Sequence, residues 1–306
     1  MKTNAADILI EALPYLKKFS GKIIVLKYGG HAMADENLKK DFANDIILLK
    51  YIGINPVVVH GGGPQIKKVL DAMGITSKFI RGMRYTDDQT MDVVEMVLGG
   101  KVNKDIVARI NKQGGKAVGL TGKDGMLITA EKMKIYHTPD ASKPPEIIDP
   151  GMVGSVSEIN PDIIHTLIVK GFVPVIAPVG LGKNGETYNI NADVVASKMA
   201  SYLNAQRLIL LTDVQGILNS DKQLVSSINA DTIKKMIKEK QITNGMIPKV
   251  ECALDALKNG VNKVHIINGK KPHAVLLELF TDAGIGTQVF DKIDDFKTFE
   301  EASWIL

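Results

Sequence analysis

Short apolar runs rich in β-branched residues alternate with longer stretches of helical period along most of this chain, and few folds accommodate that alternation. Ile23 to Leu26, Pro56 to Val59, Ala117 to Leu120, Val173 to Ala177, Leu208 to Leu211 and Val264 to Ile267 read as strands. Glu36 to Tyr51, the stretch after Gly63, Asp88 to Lys112, Asp162 to Lys170, Ala192 to Tyr202, Asp231 to Glu239 and Lys249 to Asn259 read as helices. Strands joined through helices run parallel, as right-handed βαβ units, so an α/β chain on a mainly parallel sheet is expected. At 306 residues, 45% of them hydrophobic, the chain can form about two domains or one large α/β unit.

Three segments depart from the alternation. Between Lys123 and Glu158 the helical period is lost and Gly, Pro, Asp and Ser punctuate short pieces, which predicts β-hairpins at one end of the sheet. Pro178 to Glu186 reads as a hairpin loop and as the boundary between an N-terminal half, 21–180, and a C-terminal half, 181–306. Ahead of both, Ile8, Leu9, Ala12, Leu13 and Leu16 fall near helical spacing, with Asn4 or Asp7 as a start, Ser20-Gly21 as a stop and a kink expected at Pro14. Such a helix packs on its own body or on another subunit. After Asp291 the charged start of the tail reads as helix or disorder.

Composition removes several classes of function. Thirty-eight basic and thirty-four acidic residues are spread along the chain, which does not suit a nucleic-acid binder. The single Cys252 excludes an internal disulfide framework, no CxxC or close His pair offers a structural zinc site, and a reducing cytoplasm fits this usage. No signal-peptide core and no run of eighteen apolar residues supports secretion or membrane spanning.

The chemistry lies in glycines at strand ends. Lys27-Tyr28-Gly29-Gly30 closes the first apolar run, where glycines let backbone N–H groups approach an anion and a lysine can follow a moving phosphoryl group. Val57 to Val59 runs through His60 into Gly61-Gly62-Gly63 and then Pro64 at a permitted early helical position, which places backbone donors at a helix N-terminus. No partner for His60 can be identified from the sequence. Arg84 could clamp a carboxylate. Asn189-Ile190-Asn191-Ala192-Asp193 supplies one N-cap and spare polar groups. Lys249 opposes the dipole at another helix start, a cost that a bound anion would relieve. Two tempting motifs fail: Gly180, Gly182 and Gly185 fit GxGxxG but lead into an extended segment, and Gly122-Lys123-Asp124 lacks the hydroxyl and upstream glycine of a P-loop.

Together these elements resemble the amino acid kinase family, and most closely its members that act on N-acetyl-L-glutamate. The similarity spans residues 22 to about 290 and rests on KYGGHAM from Lys27, VVVHGGGPQI from Val57, GMRYT from Gly82, NINAD from Asn189, LTDVQGI from Leu211 and NGMIPKV from Asn244. It implies a three-layer αβα sandwich around a mainly parallel open sheet, the amino acid kinase fold, with an extra N-terminal helix. The implied reaction moves the ATP γ-phosphoryl group to the side-chain carboxylate of N-acetyl-L-glutamate, in arginine biosynthesis.

By the same resemblance Lys27 and Lys249 flank the transferring group, Asp193 orients both, and Gly29, Gly30 and Gly62 donate backbone N–H groups to it. Gly62, Gly63, Arg84 and Asn189 would hold the acetylated amino acid. Asp213, Val214, Gly216, Ile217, Leu218, Ile242, Thr243, Asn244 and Gly245 would hold the nucleotide; Asn244 stands where relatives usually carry Asp or Gly. Mg²⁺ would ride on ATP phosphates and water, with no dedicated protein metal site.

Arginine-inhibited members are similar in carrying an N-terminal helix that interlaces dimers into a homohexamer, a trimer of dimers. That likeness implies an oligomerising, regulatory segment 1–20 and an L-arginine effector site at Tyr15, His265, Glu278, Gly284 and Gly286. It leaves any signalling-protein partner unknown. Taken by themselves, the residues leave open a kinase for aspartate, glutamate, carbamate or another acylated amino acid. A catalytically silent arginine sensor is the other alternative, against which Lys27, Lys249 and Asp193 together speak.

Overall fold

Eight strands build the central sheet: β1 (Ile23–Tyr28), β2 (Asn55–His60), β3 (Ala117–Thr121), β4 (Val173–Ala177), β5 (Arg207–Thr212), β6 (Ser227–Asn229), β7 (Lys263–Asn268) and β8 (Thr287–Phe290). Their order is β6-β8-β7-β5-β1-β2-β4-β3, and every neighbouring pair is parallel except β7 and β8. The computed structural model describes residues 5–80, 82–137 and 146–291.

The inner strands β1, β2, β4, β5 and β7 are buried along most of their length rather than at alternate positions, as a sheet covered on both faces requires; all six residues of β5 are buried. Ten helices provide the cover among the described residues: α1 (Ala5–Phe19), α2 (Glu36–Tyr51), α3 (Gly63–Ala72), α4 (Asp88–Glu95), α5 (Asn103–Lys112), α6 (Asp162–Val169), α7 (Ala192–Tyr202), α8 (Ala230–Lys238), α9 (Ile247–Lys258) and α10 (Ala274–Phe280). Two apolar cores result. Ile24, Leu26 and Tyr28 of β1 pack with α2, α5 and α10, whereas Val25 faces the other core with α7, α8 and α9. Because strand side chains alternate, Lys27 leaves β1 on the α7/α9 side. None of the described helices is long and apolar enough to cross a membrane.

The three-layer architecture is the one expected, and the read strands and helices recur within a residue or two of their bounds. The hairpins expected after Lys123 form a four-stranded sheet, ordered Thr187–Asn189, Val179–Leu181, Ile128–Lys132, Gly154–Ile159, with a two-stranded ribbon of Ile135–His137 and Glu146–Ile148 beside it. Val179–Leu181 and Thr187–Asn189 pair across the expected loop, where Gly185 has φ +92° and its N–H reaches the Gly182 carbonyl.

The N-terminal helix ends at Phe19, and Gly21 takes φ +73° as the stop. Pro14 lies inside the helix, which continues through it. Of its two expected starts, Asn4 is outside the described residues and Asp7 lies within the helix. Residues 292–306, with Trp304, are likewise outside them.

Two strands, β6 and β8, have no counterpart in the sequence reading, and the long helix over 88–112 is interrupted. Met96–Val102 winds as a π-helix between α4 and α5. From Val94 the buried positions advance by four, through Leu98, Val102, Ile106 and Ile110. Each such step overshoots a turn of an α-helix by about 40°. The wider turn absorbs the drift and keeps one face toward the sheet.

Candidate active site

The carboxyl ends of β1, β2 and β5 open at the middle of the sheet, where the chain goes one way after β1 and the other after β5; clefts at such reversals are the usual ligand sites of open α/β sheets. A cleft of about 280 Å³ lies there, lined by Lys27, the glycines after β1 and β2, Arg84, Asn189 and Asp193 among others.

Its chemical centre is one carboxylate between two ammonium groups. Asn191 caps α7 by accepting the N–H of Asp193 at 2.8 Å, so Asp193 sits in the first turn with its side chain pointing back over the strand ends. Lys249 enters from the first turn of α9, which opens with a proline and no side-chain cap, and donates to Asp193 Oδ2 at 2.8 Å. Lys27 stands 3.1 Å from Asp193 Oδ1, an ion pair outside hydrogen-bond geometry. Burial alone would push the Asp193 carboxyl up, but the two ammonium groups outweigh it and hold the pKa below the usual carboxylate range. The group therefore carries one net positive charge at neutral pH.

Glycines surround this centre because side chains do not fit. A Cβ on Gly29 would lie 2.7 Å from Lys27 Nζ, and one on Gly62 would lie 2.5 Å from Leu98 Cδ2. Gly30 combines φ +70° with an approach to Asp213, whose Oδ1 would be 2.5 Å from an added Cβ. This contact brings the segment after β5 against the phosphate-binding candidates. Gly62 starts α3 without a side-chain cap, so the helix offers its first N–H groups to the cleft end.

Arg84, in the short hairpin of Phe79–Ile80 and Met83–Arg84, donates to the Gly63 carbonyl at 3.2 Å and to Ser77 Oγ, with its guanidinium 4.8 Å from the Phe79 ring centre. Asn189 donates to Thr86 Oγ1 at 3.2 Å, and Thr86 in turn donates to the Arg84 carbonyl at 2.9 Å. The two substrate-binding candidates are thus tied to one another. Sequence reasoning missed Thr86, although it directly follows the GMRY stretch.

The nucleotide candidates fall on two loops. After β5, the Ile217 N–H is held by Thr287 Oγ1 at 2.8 Å and Gly216, at φ +151°, has no room for a side chain beside that hydroxyl. Ile217 and Ile242 are core residues, whereas Val214 and Leu218 are exposed. Asn244–Met246 forms a short 3₁₀ turn that delivers the chain into α9 and Lys249.

The five effector candidates converge elsewhere. Tyr15, His265, Glu278, Gly284 and Gly286 all line a cavity of about 770 Å³ with Lys18, Arg207, Lys263 and Asp282, which the sequence reading did not assign. Tyr15 donates to Asp282, which joins α1 to the loop after α10. Glu278 Oε1 pairs with His265 Nδ1 at 2.6 Å, while Oε2 accepts the N–H groups of Ile285 and Gly286 at 2.7 and 3.0 Å. Burial opposes charge on Glu278, but His265 and the two amides hold its pKa down; burial, the largest influence on His265, depresses that pKa. The pair is a carboxylate with a neutral imidazole whose Nδ1–H donates. His265 Nε2 is left as a buried acceptor with no hydrogen-bond partner.

Residues 22–268 match the model of the amino acid kinase family. Acetylglutamate kinase of Syntrophus aciditrophicus (strain SB) is 57% identical over 287 residues, 94% of this chain and 97% of that protein. Acetylglutamate kinase of Nitrosococcus oceani is 53% identical over 290 residues, 94% of this chain and 96% of that one. Among solved structures, the N-acetylglutamate synthase of Neisseria gonorrhoeae complexed with coenzyme A and N-acetyl-glutamate superposes with a TM-score of 0.82 at 25% identity, over 94% of this chain and 64% of that one. Carbamate kinase from Giardia lamblia bound to AMP-PNP, at TM-score 0.62 and 18% identity over 89% of this chain and 99% of that one, shares the fold. A match this long, on a sheet whose centre carries the two-lysine arrangement, leaves one conclusion: the chain belongs to the amino acid kinase family.

Proposed function

We propose that the chain catalyses ATP-dependent phosphorylation of the side-chain carboxylate of N-acetyl-L-glutamate, giving the acyl phosphate used in arginine biosynthesis. The observation that carries this reading is the Lys27–Asp193–Lys249 group at the cleft end, with near-full-length relatives named for that kinase. The acceptor carboxylate is ionised near neutral pH, so no general base is needed. What the reaction needs is alignment and positive charge at the equatorial and bridging oxygens of a loose transition state. Two ammonium groups fixed by one carboxylate supply a net positive clamp, and the glycines at 29, 30 and 62 supply backbone donors. Arg84 with Asn189 would grip the acetylated amino acid.

Among the described residues no cluster of three His, Cys, Asp or Glu side chains is suited to a metal, and the oxygens of Asp193 face lysines. Mg²⁺ would be held mostly by the ATP phosphates and water, as its preference for oxygen ligands and its stubborn hydration lead one to expect. An ADP-release assay with N-acetylglutamate, glutamate, aspartate and carbamate side by side tests the acceptor. N-acetylglutamate should be turned over by a wide margin, and preference for any of the other three overturns the reading.

We infer further that L-arginine inhibits the enzyme from the cavity between α1 and α10. A carboxylate and an unpartnered buried acceptor, Glu278 and His265 Nε2, suit a guanidinium, whose N–H groups only donate. Ile10 and Leu13 are exposed on α1 and favour its pairing with a neighbouring dimer in a hexamer. Deleting residues 1–20 should abolish both hexamers, seen by light scattering, and arginine inhibition, while kcat persists. A truncated enzyme inhibited at the original arginine concentration sinks this inference.

A further inference from the structure

His60 closes β2 just before the three glycines, is fully buried and touches no candidate substrate group, yet every nitrogen of its ring is used. Nδ1 lies 2.8 Å from the carbonyl oxygen of Gly61, and Nε2 lies 3.2 Å from Asn103 Nδ2. The roles follow from the partners. A carbonyl only accepts, so Nδ1 carries the proton; Nε2 of a neutral ring then accepts from the Asn103 amide. The Asn103 amide is itself fixed, since its nitrogen also donates to the Val175 carbonyl at 2.9 Å on β4 and its oxygen accepts Lys104 Nζ at 3.1 Å. Burial, first, and then Lys104 lower the His60 pKa to about 4, against the raising effect of the Gly61 carbonyl, so the ring is neutral wherever such an enzyme would be assayed.

The peptide between Gly61 and Gly62 is trans, as are all those described, and a trans peptide points its N–H opposite to its C=O. Anchoring the Gly61 carbonyl on the ring therefore sets the direction of the Gly62 N–H, away from the imidazole. The peptides on either side are held by the backbone, the Gly61 N–H on the Tyr28 carbonyl at 2.8 Å and the Gly62 carbonyl by the Ile66 N–H at 2.9 Å, whereas the free rotation of glycine leaves the peptide between them to the ring. Asn103 directly follows the π-helix Met96–Val102, at the first residue of α5.

We propose that His60, held by Asn103, is a positioning residue that aims the Gly62 N–H at the transferring phosphoryl group. This rests on the phosphoryl-transfer reading above. It acts through the backbone and moves no proton during the reaction.

The test compares His60→Asn, whose amide can place an N–H near the Nδ1 position, with His60→Gln, whose amide extends toward Nε2. His60→Gln should lose roughly a hundredfold in kcat, the usual cost of one misdirected oxyanion donor. Its KM for N-acetylglutamate should stay within about threefold of wild type, since that donor acts in the transition state and not in the ground state. His60→Asn should recover most of kcat. Affinity for MgADP with aluminium fluoride and N-acetylglutamate, a mimic of the transferring phosphoryl group, should fall with kcat, while affinity for MgADP alone stays. Should His60→Gln not fold, Asn103→Ser carries the same comparison. Equal kcat in His60→Gln and wild type, or a loss shared equally by MgADP binding and melting temperature, overturns the proposal. Failure of the wild-type protein to phosphorylate N-acetylglutamate would instead overturn the reading on which it rests.

Discussion

Gly29 is a residue whose role lies in what it leaves uncovered. The Lys27 side chain folds back over it, with Cε at 3.0 Å and Nζ at 2.7 Å from where a Cβ would stand. The obstructing atoms are the far end of a flexible chain, so Gly29→Ala should fold with a melting temperature within a few degrees of wild type. The displaced ammonium should cost at least about tenfold in kcat through lost charge stabilisation. Circular dichroism melts and initial rates check the two halves of this prediction. Much at this scale was legible: Lys27 and Gly29 at a strand end, Lys249 against a helix dipole and Asp193 beside an N-cap each show their unusual placement in the local sequence. His60 was not legible, because its meaning depends on a rotamer and on Asn103, forty-three residues away. Thr86 and the basic lining of the cavity between α1 and α10 were hidden for the same reason, being defined by contacts between distant segments.

Among elements, α10 is held by its entry. His273 precedes it at φ +51°, with Nδ1 2.6 Å from Asp45 Oδ1 and Nε2 3.6 Å from Asp41 Oδ1, both on α2. Asp45, foremost among the causes, raises the His273 pKa above its ordinary 6.5, partly offset by burial. A raised histidine contributes stability that is fully present below its unfolded pKa and lost as pH rises through the folded one. His273→Asn keeps a residue that tolerates left-handed backbone and removes the cation. The melting-temperature advantage of wild type over this variant should shrink as pH rises above 6.5. An advantage that grew with pH would contradict the assignment. Asp45, pushed up to about 6 by burial, titrates below that window. The sequence pattern gave long helices and buried strands clearly but not the three-residue β6, too short to show a period, nor the antiparallel turn of β8 against β7. The π segment did leave a trace: apolar positions advancing by four from Val94 to Ile110, a spacing no straight α-helix keeps on one face.

At the scale of the whole molecule, β1 sits inside the sheet with partners from both halves of the chain, β2 on one side and β5 on the other. The parallel order was legible from the alternation of strands and helices; which strand would be central was not, since crossovers of similar length can lead to either side. The hairpin from Val179 to Asn189 joins the segment that carries β1 to β4 to the one that carries β5 to β8. Its tip, at Lys183 and Asn184, is exposed and makes its own turn, so a cut there breaks few contacts. The candidate catalytic and substrate-binding residues are then divided. The first piece holds Lys27, Gly62 and Arg84, and the second holds Asn189, Asp193 and Lys249. Neither fragment alone should show measurable kinase activity, and co-expression should restore it in proportion to the complex recovered, read by ADP release after affinity capture of one piece. The tip of that hairpin is thus a point where this enzyme can be made conditional: two inert polypeptides whose encounter, and nothing else, produces a phosphoryl transferase.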